Sequence, residues 1–273
     1  MAKKGLTLMP PLSFWVSWAN YSGATAPGFH RLSSLAKAGR FISELHHSQA
    51  PLKHLLKITS NSVALTGLVA LPCLERISMP THLILISHAP TQALRSASFP
   101  GDECLDPPLQ SLPGAKAEIE RWGPISQVVT GPEQRAIQTA GALQLGVELT
   151  VDPALCECDY GRWVGQKIRV VGEAEPEAIA AWITSPEACP HGGESISDLL
   201  KRVAAWMDCK ASFGGRILAI THPSVIRAAM VHALVAPAHS FWRLDVEPLS
   251  MLDLRGTPGR WMVRSLRELS PVD

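Results

Sequence analysis

Three stretches of the chain end in the same way: "ILISHAPT" at 84–91, "VVTGPEQR" at 128–135 and "LAITHPSV" at 218–225. Each carries an apolar run into one or two polar residues and then a proline. Leu83-Ile84-Leu85-Ile86 suits a strand buried on both faces, and such a strand has no use for a histidine inside it. His88 falls just past its carboxyl end, where open α/β sheets keep their ligands. Proline is at home in the first helical position, so Pro90, Pro132 and Pro223 are each read as helix starts. Three helix amino ends along one sheet edge present free N–H groups and positive dipole ends, which attract anions. The side chains delivered there are His88, Arg135 in the first turn of its helix, and His222. Two imidazoles and one guanidinium around an anion-attracting crevice suit phosphoryl chemistry.

The elements that must position these groups follow from the periodicity. Strands are expected at His82–Ile86, Gln127–Thr130, Glu148–Val151, Ile217–Thr221 and Ser250–Leu254, and helices at Glu133–Leu145 and Ile196–Cys209. Ser195 and Asp198 supply a capping-box start for the second helix. Strands alternating with helices indicate a mostly parallel α/β sheet.

The chain has 273 residues, 46% of them apolar and 18% charged, with a net charge of +1. That composition supports a substantial core and gives no reason to expect nucleic acid or a membrane as partner. The charge is unevenly spread. Residues 1–78 hold eight Lys/Arg against two Asp/Glu, and residues 79–273 hold 17 against 22. Residues 1–78 are read as a basic extension, either disordered or an over-extended gene start; an organelle transit peptide is the other reading of such a leader. The run Val63–Leu71 is too short to span a bilayer. The compact domain is expected at 79–273, in the cytoplasm. Six cysteines do not make a disulfide scaffold in a chain this long. Cys156, Cys158, Cys189 and His191 are the only zinc-like set, at C-x-C and C-x-H rather than the usual C-x₂₋₄-C spacing, so no metal is expected.

In the order of its motifs, the stretch from Pro80 to Leu254 resembles the histidine phosphatase superfamily, whose fold is phosphoglycerate mutase-like. "GPEQRAIQTA" resembles the family segment Ser-x-x-x-Arg-Ala-x-x-Thr-Ala, "LCECDYGRWVG" the segment with the acid/base carboxylate, and "ILAITHPSV" the block with the second histidine. The resemblance implies a three-layer sandwich with a mostly parallel sheet flanked by helices. It also implies metal- and cofactor-independent hydrolysis of a small phosphorylated metabolite. His88 would be the nucleophile, Glu157 the proton donor, and Arg135 and His222 the groups that hold the phosphoryl unit. Asp159 competes with Glu157 for the acid role. Glu194, at a helix start, is read either as a complement to the helix dipole or as a catalytic part, and His191 as a loop residue; Tyr160, Arg162 and Trp163 are weaker candidates for contact with a leaving group.

The pattern also departs from the family. The first motif, Arg-His-Gly, is here Ser87-His88-Ala89. A serine hydroxyl offers one neutral donor where a guanidinium offers a charged fork. Gly131 stands where a serine is usual, and Pro223 removes a backbone N–H after the second histidine. Arg95, two helical turns beyond His88, is a candidate substitute cation. The departures leave two expectations open: a weakened phosphatase, or a relative that only binds an anionic metabolite or a protein partner.

Overall fold

The computed structural model describes residues 79–269; the expectations for 1–78 lie outside the described residues. Six strands form one sheet in the order β3-β2-β4-β1-β5-β6. They are β1 (Thr81–Ser87), β2 (Gln127–Thr130), β3 (Leu149–Val151), β4 (Arg216–Thr221), β5 (Ser250–Thr257) and β6 (Arg260–Glu268). The pairs β1·β4, β2·β4 and β2·β3 are parallel; β1·β5 and β5·β6 are antiparallel. The sheet is therefore mixed, with a parallel half that carries the chemistry and an antiparallel edge. Strand β6 has no counterpart in the sequence reading. Its burial alternates weakly and most of it is exposed, so RWMVRSLRE reads as polar.

Every residue of β1 is buried, and alternate residues serve opposite faces. Leu83 and Leu85 join a core with Val203, Met207, Val225 and Ile226. Ile84 and Ile86 join another with Ile119, Ala136 and Leu143. Those helical residues come from α2 (Pro113–Glu120), α3 (Gln134–Leu143), α6 (Ile196–Lys210) and α7 (Pro223–Ala233); the other α-helices of the described residues are α1 (Gln92–Arg95), α4 (Ile168–Ala174) and α5 (Pro176–Thr184). Layers on both faces explain why the strand is apolar throughout, with no polar alternation.

The helix starts differ in detail from the reading above. Only Pro223 occupies the first turn of its helix. Helix α1 is capped by Thr91, whose hydroxyl accepts from the Leu94 N–H, and α3 by Glu133, so Pro90 and Pro132 lie ahead of the caps. Ser195 caps α6 as expected, accepting from the Asp198 N–H and donating to its carboxylate at 2.7 Å. No helix among the described residues is long and apolar enough to cross a membrane.

Candidate active site

The register of the central strands puts the two histidines side by side. Ser87 pairs with Thr221 across the parallel β1·β4 ladder, so His88 and His222 are each the next residue on neighbouring strands. The His88 N–H donates to the Thr221 carbonyl at 2.9 Å, and the two rings lie 5.2 Å apart at 60°. Arg135, on the first turn of α3, arrives from β2. It is fully buried. Thr139 explains part of the motif that contains it. Its hydroxyl donates to the Arg135 carbonyl at 2.7 Å and accepts from the Ala89 N–H at 3.0 Å, tying α3 to the loop that holds His88.

The hydrogen bonds settle the state of His88. Its Nδ1 donates to the Ala89 carbonyl at 2.7 Å, which places the ring proton there. Its Nε2 accepts from Arg135 Nε at 3.2 Å. An acceptor nitrogen is unprotonated, so Nε2 presents a lone pair to the pocket. Burial, then the charges of His222 and Arg135, hold the ring well below the usual histidine pKa of 6.5. His88 is thus a neutral imidazole with its nucleophilic nitrogen facing the buried Arg135 guanidinium.

Glu157 closes the group. One of its oxygens accepts from the Cys158 N–H at 2.9 Å and from the Ser224 hydroxyl. The other lies 3.7 Å from Arg135 Nη2 and 3.6 Å from His222 Nδ1. One side-chain atom each from His88, Glu157 and His222 fall within 4.8 Å of one another. Arg135 Nη2 and His222 Nδ1 are buried and have no hydrogen-bond partner. Arg135 Nη2 is a charged donor with no partner beside a nucleophile and a carboxyl group, which suits it to an oxyanion. The same three residues form a possible metal ligand set, but Arg135 already donates to the His88 lone pair and would set a cation against any ion held there. The buried guanidinium suits a tetrahedral anion better.

Glu133 is a member of the site that the sequence reading missed. It occupies the cap position of α3 but makes no side-chain cap bond. Its carboxylate instead accepts from His222 Nε2 at 2.7 Å and from the Glu157 N–H at 2.8 Å. Gly131 makes this possible, since a Cβ there would come within 3.0 Å of both Glu133 Oε2 and His222 Nε2 and 2.7 Å of the Leu155 carbonyl. Read from sequence, Gly131 was a lost hydroxyl; in the fold it is the space in which a carboxylate meets His222. Glu133 sits two residues before Arg135, and an acid at a helix start reads as an ordinary cap. Ser224 was missed for a similar reason, since small polar residues are common in a first helical turn.

The other candidates separate clearly. Ser87 lines the pocket, fully buried, its hydroxyl without a partner. Arg95 does not line the pocket. Its Nε and Nη2 donate to the Asp106 carbonyl at 3.2 and 3.0 Å, holding it at the end of α1. The arginine that does line the pocket is Arg227, on α7. Asp159 is exposed and accepts from the Gly161 N–H at 2.8 Å, a turn-forming bond. Glu194 pairs with Arg202 through two bonds of 2.8 and 2.7 Å, and Arg202 Nη1 donates to the Ala154 and Cys156 carbonyls. That pair braces the segment leading to Glu157 and leaves Glu194 no free oxygen for substrate. Trp163 is core, and His191 packs on it at 4.8 Å. Arg162 is engaged with Glu175 and the Pro190 carbonyl. Among the described residues, Cys156, Cys158, Cys189 and His191 do not gather as a ligand set: Cys158 Sγ faces the Glu194 carbonyl, and Cys189 Sγ faces the Gly193 carbonyl and lies 3.9 Å from His191 Nδ1.

Two buried neutral histidines make stability depend on pH. Burial pulls His222 down to about 3, with Glu157 opposing it, and His88 is also lowered. The unfolded chain takes up these protons near pH 6.5 while the folded chain does not. Stability is therefore full above that value and falls as pH drops from about 6.5 towards 3. The loss is up to about 1.4 kcal/mol per pH unit for each histidine. Urea midpoints measured between pH 7.5 and 5 should decline, with a shallower slope in His222→Gln; equal slopes would contradict this assignment.

Comparison with known proteins shows the family and the fold. Residues 83–269 match the model of the histidine phosphatase superfamily (branch 1). The chain is 30% identical over 181 residues to the bifunctional protein Rv2228c of Mycobacterium tuberculosis, covering 63% of this chain and 49% of that protein. It therefore spans about half the length of that relative. It is 31% identical over 126 residues to glucosyl-3-phosphoglycerate phosphatase of Mycolicibacterium vanbaalenii, covering 44% and 55% respectively. Among solved structures, mycobacterial glucosyl-3-phosphoglycerate phosphatase superposes with a TM-score of 0.60 at 23% identity, over 69% of this chain and 99% of that one. The α-ribazole phosphatase of Shigella flexneri gives 0.60 at 21%, over 70% and 98%. A sheet edge that brings His88, Arg135, Glu157 and His222 into one cluster, within a stretch matched almost end to end, places the chain in the histidine phosphatase superfamily.

Proposed function

We propose that the protein hydrolyses a small phosphate monoester through a phosphohistidine on His88. The observation that carries this reading is the unprotonated Nε2 of His88, held by the Ala89 carbonyl and faced by Arg135 and Glu157. Nε2 attacks phosphorus as the ester P–O bond breaks, and the alcohol leaves with a proton from Glu157. Water then attacks phosphorus, giving a proton to the Glu157 carboxylate, and the N–P bond breaks to release phosphate and His88. Arg135 Nη2 and His222 stabilise the phosphoryl oxygens, with the Ser87 hydroxyl as a neutral donor. An arriving phosphate dianion favours a proton on His222 Nδ1, and the Glu133 carboxylate at Nε2 supports that imidazolium.

Arg227 replaces Arg95 as the candidate for a second cation. It lines the pocket, and its buried Nε has no hydrogen-bond partner. Steady release of phosphate from monoesters in the presence of a chelator, with none from diesters, tests the proposal. The second reading, an anion binder without turnover, is favoured by Ser87 where the family motif has arginine. Binding of phosphate with no release from any monoester would select it. The substitution Ser87→Arg should raise kcat/KM on generic phosphate esters by about tenfold or more. A folded variant with no gain would mean that Arg227 already meets the need.

A further inference from the structure

Beside the catalytic pocket lies a second cavity with a different wall. Phe99, Ile179, Trp182, Phe241 and Trp242 line it, with Tyr160 and Arg227 shared between the two. The aromatic rings pack edge to face, Trp182 on Trp242 at 4.6 Å and on Phe99 at 5.9 Å. The backbone leads from one cavity to the other within four residues: Glu157 lines the catalytic pocket, Cys158 the apolar cavity, and Tyr160 both.

We infer that the substrate is a phosphate monoester whose alcohol carries a flat, largely apolar ring, seated in this second cavity. The inference rests on the role proposed for Glu157. An acid that protonates the leaving oxygen marks the side of the phosphoryl group from which the alcohol departs. On that side the chain turns at once into the aromatic wall. Polyhydroxylated alcohols fit this wall badly, since each hydroxyl moved from water against apolar side chains loses its hydrogen bonds. A ring gains by burial and by edge-to-face contact with Phe99 and Trp182. The wall holds two polar donors that lack partners: Trp182 Nε1, buried and unpaired among the described residues, and Arg227 Nε. These suit a ring bearing one or two acceptor atoms, such as a ring oxygen, ring nitrogen or carbonyl.

The test compares two non-hydrolysable ligands on the full-length chain, 2-phenylethylphosphonate and ethylphosphonate, by titration calorimetry. They share the phosphonate and the first two carbons and differ in the ring. The ring-bearing ligand should bind at least about tenfold tighter, given that a single methylene in an apolar pocket already discriminates by about tenfold or more. The variant Ala97→Leu, which adds bulk to the same cavity, should bring the two affinities together; the wild-type comparison stands even if that variant folds poorly. Equal affinities in the wild-type chain, or no measurable binding of the phenylethyl ligand, would overturn the inference. A ring preference in binding without hydrolysis of 2-phenylethyl phosphate would instead overturn the proposed phosphatase activity and leave the cavity assignment in place.

Discussion

The variant His88→Asn is expected to lower turnover of any phosphate monoester by about 10⁴-fold or more, as removal of a covalent nucleophile does elsewhere. Asparagine places its amide nitrogen where Nδ1 stands, so it can still donate to the Ala89 carbonyl. It offers no nitrogen lone pair. Neither Cys158 nor Ser87 replaces it. The Cys158 thiol lies on the apolar side, and burial raises its pKa so that the thiolate is scarce. The Ser87 hydroxyl has no base within hydrogen-bond reach. Stopped assays on 4-nitrophenyl phosphate provide the measurement, with urea unfolding to show that the variant is folded. Residual activity within tenfold of the parent would remove His88 from the chemistry.

Glu157→Gln should act selectively. For an alkyl phosphate the departing alkoxide needs a proton, and loss of a positioned general acid costs about 10²–10⁴ in kcat. For 4-nitrophenyl phosphate the leaving group departs readily without one, so kcat for phosphorylation of His88 should change far less. Glutamine preserves the oxygen that accepts from the Cys158 N–H and the Ser224 hydroxyl, so the local structure is retained. An equal loss on the two substrates would show that Glu157 positions the phosphoryl group and does not protonate the alcohol.

The sheet centre was legible because burial on two faces leaves an unmistakable apolar run, and because His88, Arg135 and His222 follow such runs directly. The matched ends of β1 and β4 then do the rest: parallel pairing of Ser87 with Thr221 forces the two histidines together. Elements that depend on partners were harder to see. Strand β6 is a largely exposed edge held by its pairing with β5 and by Trp261, which reaches the core. Pro90 and Pro132 carry the same local signal as Pro223, yet Thr91 and Glu133 take the cap positions.

The same distinction runs through the site. Residue type and strand position point to His88, but the role of Glu133 exists only because Gly131 vacates a space that the Leu155 carbonyl and His222 border. No local pattern reports a vacancy. Arg95 and Arg227 illustrate the reverse case. Both are arginines four or more residues past a site histidine, and tertiary contacts alone send one to the Asp106 carbonyl and the other to the pocket wall. Glu194 likewise looked available until Arg202 took both of its oxygens.

The most direct test of the central claim is rapid chemical quench with a ³²P-labelled aryl phosphate, followed by mapping of the labelled peptide. Transient phosphate that is stable in base, lost in acid and carried by the peptide containing His88 is the predicted result, formed at least as fast as product is released. Phosphate release without any labelled protein, or a label on another residue, would contradict a phosphohistidine at the junction of these two strands.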